Sequence, residues 1–130
     1  MARSPRCSPP ETMTALLPEV LAVRREGAAR VVLDLTVPAW LAYFAGHFPG
    51  LPVLPGVVQI DWAARFGHTH LPVEGAFSAL ENVKFLAPVH PGARLELALG
   101  WDAAKRHLEF LFAGGGRTFS SGRIVFGGAP

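Results

Sequence analysis

Cysteine is almost missing from this chain, occurring once in 130 residues, at Cys7. With no second thiol there is no internal disulfide framework, which fits a reducing compartment and suggests the cytoplasm. Charge is also scarce: 17% of residues are ionic and the net balance is +2, with a sequence pI of about 9.2. The Lys and Arg residues are scattered rather than gathered into a run or stripe, which argues against nucleic acid as a partner. A mildly positive balance still helps to recruit an acidic partner or a phosphate-bearing substrate. So few charges leave surface to be covered by something else, and oligomerisation is expected. No apolar run is long enough to span a membrane, since the longest, Val31 to Phe48, is broken by Asp34, Pro38 and His47.

What is present is a chain half hydrophobic, long enough for one core and too short to divide comfortably into two domains. Residues 1–12, MARSPRCSPPET, lack the apolar centre of a secretory signal and read as a flexible leader, with Met13 as a candidate native start. A single domain over 13–130 is expected. LLPEVLAVRRE and RVVLDLTV have a period near two and flank a short Gly-Ala turn, which predicts two strands. AFSALENVKFLAPV, ARLELALGW, KRHLEFLFA and RTFSSGRIVFG, separated by HPG, DAA and GGG turn signals, add four more. Such spacing predicts an antiparallel meander.

Between these groups GHFPGLPVLPG forbids regular structure, and from Gly56 the pattern becomes helical. Pro55 stands where a proline opens a helix. Val57, Ile60 and Ala64 fall on one face with Val58, Trp62 and Phe66 beside them, so the helix is expected to be buried over most of its circumference, with a sheet wrapped around it. The class is thus α+β, with about six antiparallel strands and one central helix.

His47 in the loop and Asp61 on the second helical turn are the residues with chemical potential. Alone they say little: a histidine among apolar residues is more often structural, and an aspartate near a helix N-terminus often only complements the macrodipole. The surrounding pattern is more informative. HFPGLPVLPGVVQIDW resembles the active-site segment of the hot-dog-fold 3-hydroxyacyl-[acyl carrier protein] dehydratases of bacterial fatty-acid synthesis. That family's order is GHFP, a variable pair, P, an apolar pair, PG, then a mostly apolar helix with an acid. Here these are Gly46 to Pro49, Pro52, Pro55-Gly56 and Asp61. The likeness continues in NVKFLAPVHPGARLEL, Asn82 to Leu97, and covers roughly residues 16 to 126. LPGVVQ-DWA is similar to the dehydratase-like proteins encoded with aryl polyene pigment pathways.

The resemblance implies a hot-dog fold, a long antiparallel sheet wrapped around one helix. It also implies dimers, or higher assemblies of dimers, whose sheets join edge to edge, with His47 of one subunit facing Asp61 of the other. Dehydration of a 3-hydroxyacyl thioester to a trans-2-enoyl product needs a base at C2, an acid for the departing hydroxyl and a donor for the thioester oxygen. By resemblance His47 is the base, Asp61 orients or protonates the hydroxyl, and the Gly56 backbone N–H holds the carbonyl. The substrate is expected on the phosphopantetheine of acyl carrier protein, with no metal or organic cofactor.

For Asp61 to give up a proton near neutral pH its charged form must be disfavoured, and Val57, Val58, Ile60 and Trp62 are expected to supply the desolvation. Four residues on, where many family members carry Gln, this chain has Arg65. Either Arg65 points away to bind a phosphate of the pantetheine arm, the favoured expectation, or it pairs with Asp61 and opposes its acid role. Phe48 and Val57 are candidate substrate contacts. Phe44, Trp62, Phe66 and Phe85 could line an acyl tunnel, although core packing is the commoner role of such aromatics. His68 and His70 lack a nearby third ligand for a metal site, and His90 and His107 read as turn and strand-surface residues. Two other activities remain open: a hot-dog thioesterase using an acid to direct water at the same carbonyl, and a non-catalytic subunit that binds acyl carrier protein.

Overall fold

The computed structural model describes residues 17–38 and 53–127. The expected leader, and the segment carrying Phe44, His47 and Phe48, lie outside the described residues.

Six strands and one helix form in the order β1 (Glu19–Arg25), β2 (Arg30–Thr36), α1 (Gly56–His70), β3 (Phe77–Phe85), β4 (Arg94–Asp102), β5 (His107–Gly114) and β6 (Arg117–Phe126). All pair antiparallel in one sheet, ordered β1-β2-β4-β5-β6-β3. The expected meander holds for β4 to β6 only. β2 takes the place beside β4, pairing Leu33 with Leu97, and β3 crosses to the far edge, pairing Leu80 with Ile124. Alternation explains the choice. Val31, Leu33 and Leu35 of β2 reach the same buried layer as Leu95, Leu97 and Leu99 of β4, whereas β3 is exposed along its length except at half-buried Val83.

On β5 the inward residues are Leu108, Phe110 and Phe112, with Glu109 and Leu111 outward. Helix α1 lies against this layer through Val58, Trp62, Ala63 and Gly67. Each fully buried large side chain, Trp62 among them, contributes about 1.5–3 kcal/mol relative to exposure. At the far end of the helix Arg25 Nη1 donates to His70 O at 2.8 Å, placing a cation on the negative end of the dipole. Burial over most of the circumference does not occur. Val57 is 73% exposed, because one sheet covers one side of a helix and the 3.6-residue repeat turns Val57, Asp61 and Arg65 away from it.

Candidate active site

The site is built at the start of α1. Pro55 is the N-cap in extended conformation and supplies no side-chain cap. Its carbonyl accepts the N–H groups of Val58 at 3.1 Å and Gln59 at 3.3 Å. The N–H groups of Gly56 and Val57 have no hydrogen-bond partner among the described residues, as the first turn of a helix dictates. Both residues line a groove of about 520 Å³, whose walls include Val53, Leu54, Phe85 and Leu86. Phe85 closes over the helix start so tightly that a Cβ at Gly56 would lie 2.5 Å from its Cζ. Glycine permits that close approach, which a side chain would meet only by displacing the half-exposed Phe85 ring. Two donors without a partner among the described residues, at the positive end of a dipole and beside an apolar groove, make a place for a developing negative oxygen.

One turn further, Asp61 sits on the face of α1 that the sheet leaves open. Arg65 Nε donates to Asp61 Oδ2 at 2.7 Å, the side chains being 52% and 45% exposed respectively. Within the single chain Arg65 therefore turns toward Asp61, not away from it as favoured from the sequence. The expected apolar jacket is also incomplete: Val58 and Trp62 point into the core, and Val57 is open. Any desolvation of this carboxylate must come from a surface laid over the helix.

Two buried polar residues drew no notice in the sequence. Gln59 is 3% exposed and Ser120, on β6, is 0% exposed. Ser120 Oγ donates to Gln59 Oε1 at 2.7 Å, and Gln59 Nε2 donates to Leu54 O at 3.3 Å. The amide orientation follows from Leu54, whose carbonyl can only accept. The available signal was a polar side chain inside the apolar run Val57 to Ile60.

Trp62 belongs to the core, Phe66 is half-buried and stacks on His70 with ring centroids 6.2 Å apart, and Phe85 alone of the described aromatics reaches the groove. His107, at the start of β5, shares the outward face of Glu109, 3.9 Å from it, yet is only 9% exposed rather than open on the strand surface. His68 packs edge-on against Phe126. Among the described residues no three His, Cys, Asp or Glu side chains come together, and no helix is long and apolar enough to cross a membrane.

A family model described as ApeI-like, ApeI dehydratase, matches residues 23–123. Among solved structures, the dehydratase heterocomplex ApeI:P from Xenorhabdus doucetiae contains a chain 36% identical, with a TM-score of 0.79, covering 84% of this chain and 96% of that one. The Escherichia coli PaaI protein shares the fold at 16% identity, with a TM-score of 0.61 over 88% of this chain and 86% of that one. The 3-hydroxyacyl-[acyl-carrier-protein] dehydratase FabZ of Nitratidesulfovibrio vulgaris strain Miyazaki F is 44% identical over 64 residues. That match spans 42% of this chain and 42% of the FabZ chain. The six-stranded antiparallel sheet against one helix is the hot-dog fold.

Proposed function

The chain belongs to the ApeI-like dehydratase family, and from that premise we propose that it removes water from 3-hydroxyacyl thioesters carried on acyl carrier protein. The products are trans-2-enoyl thioesters, in fatty-acid or aryl-polyene-type biosynthesis. The observation that carries this reading is the pairing of a carboxylate with open donors: Asp61 on the face of α1 turned from the sheet, one turn beyond the N–H groups of Gly56 and Val57, which have no partner among the described residues, and their apolar groove.

The thioester oxygen lies at the Gly56 N–H, which stabilises the charge that grows there as C2 loses its proton. Neutral His47 takes that proton. The C2–H electrons form the C2=C3 double bond, the C3–O bond breaks, and the imidazolium returns the proton to the departing hydroxyl, which leaves as water. Asp61 accepts a hydrogen bond from the C3 hydroxyl and orients it. Of the two roles considered for this carboxylate, the 2.7 Å contact with Arg65 favours orienting over proton donation. Val57 and Phe48 touch the acyl chain, and every step is proton transfer or hydrogen bonding within the chain's own groups, so no metal or organic cofactor enters.

Two subunits complete the site. Val57, Phe85 and Leu86 are exposed beside Asp61 and the groove, and a second copy of the chain laid there would desolvate Asp61 and bring in His47. The purified chain should convert a 3-hydroxyacyl thioester to the enoyl thioester, read by enoyl absorbance, without release of free thiol. Thiol release without enoyl formation would instead make it a thioesterase. Neither signal would make it a subunit that awaits a different catalytic partner.

A further inference from the structure

We infer that Gln59 is a positioning residue for the oxyanion donors, an inference that rests on the proposed dehydratase reading. The two residues before α1 are held from several sides. Leu54 N–H donates to Val89 O at 2.8 Å, and Leu54 O accepts from the Gln59 carboxamide at 3.3 Å. Pro55 O takes the Val58 and Gln59 N–H groups, and the Gln59 carboxamide is itself held by Ser120 Oγ at 2.7 Å. One side chain thus links the β6 strand, the segment arriving from the His47 side and the first turn of the helix.

The arrangement is costly unless it does something local. A glutamine and a serine almost fully buried beneath the groove must satisfy each other or leave unpaired polar atoms in the core. An aliphatic residue at position 59 would pack against the sheet without that demand. What the carboxamide adds is a direction. It fixes the Leu54 peptide, hence the Pro55-Gly56 corner, hence where the Gly56 and Val57 N–H groups stand relative to the groove that Gln59 itself helps to line. Catalytic donors placed wrongly by about 1 Å forfeit on the order of 10²-fold in rate.

The test compares Gln59→Leu, which keeps bulk and loses both bonds, with Ile124→Val, a core change on β6 at a fully buried residue that lowers stability without touching the carboxamide. In the full chain, Gln59→Leu should lower kcat roughly 10- to 100-fold while KM stays within about 3-fold. Hydrogen exchange should quicken at the Leu54 and Val58 amides and stay unchanged at Leu97, in the middle of the sheet. Ile124→Val should leave kcat and these amides as they were. Wild-type kcat in Gln59→Leu, or an equal kcat loss in Ile124→Val, would overturn the inference. Should the wild-type chain turn over no 3-hydroxyacyl thioester, the dehydratase reading falls separately. The positioning role is then decided by exchange, and unaltered protection at Leu54 and Val58 sinks it.

Discussion

Arg65 and Asp61 are both about half exposed, and an i, i+4 pair in that setting contributes only about 0.3–0.5 kcal/mol to stability. The fold has little use for it. In the proposed reaction, the carboxylate held by the guanidinium keeps one oxygen occupied and one available to a substrate hydroxyl. Arg65→Ala should therefore lower kcat roughly 10-fold or more, and do so equally for a carrier-bound substrate and for a short thioester that lacks any phosphate. Arg65→Gln, which can still donate to Asp61 Oδ2, should recover most of the loss. A phosphate-binding Arg65 would behave otherwise, raising KM for the carrier-bound substrate alone, and steady-state kinetics on the two substrates separates the cases.

At the scale of elements, α1 shows packing overruling propensity. Gly67 lies inside the helix, where alanine would be favoured by about 1 kcal/mol, yet a Cβ there would stand 2.5 Å from Leu108 Cδ2, in a side chain that is fully buried. Overpacking costs about 1–3 kcal/mol, so Gly67→Ala should destabilise the protein despite its better helix former, as a lower urea midpoint at unchanged m-value. The β4–β5 turn has its own device. Asp102 Oδ1 accepts the Lys105 N–H at 3.0 Å, and this bond holds the carboxyl below its ordinary range. A depressed folded value means a contribution complete above the unfolded value of about 3.9 and lost as pH falls through the folded one. Thermal midpoints of Asp102→Ala and wild type should differ at pH 6–7 and converge as pH falls through the depressed folded value. Local features of this kind were the legible ones. Alternation in RLELALGW and HLEFLF marked the strands, and Pro55-Gly56 marked the helix start. The place of β3 was not legible, since pairing with β6 is decided by which strand covers β4, and FSALENVKF carries no buried alternation of its own. Nor was the tie between Gln59 and Ser120, residues 61 positions apart, which only the folded sheet brings together.

Among the described residues, exposed apolar side chains gather at both edges of the sheet, with Val20, Leu21 and Val23 on β1 and a larger group by β3. Phe77, Leu80, Phe85 and Leu86 are exposed along and just beyond the edge strand β3, and Val57 is exposed on the helix nearby. An edge strand with open backbone groups and bare apolar side chains invites a second sheet. Under the proposed arrangement each of two equivalent sites takes His47 from one subunit and Asp61 from the other. That division has a consequence a single-chain site cannot imitate. His47→Ala and Asp61→Asn homodimers should each be inactive, but subunits mixed from the two variants form dimers in which one site collects both substitutions and the other collects none. With random exchange half of the dimers are mixed, so turnover should return to about a quarter of the wild-type value. Were both residues drawn from the same chain, every site in the mixture would carry a defect and no activity would return. The measurement is enoyl formation after co-refolding equal amounts of the two variants, with sedimentation confirming that dimers are present, and silence in that mixture would remove the shared site.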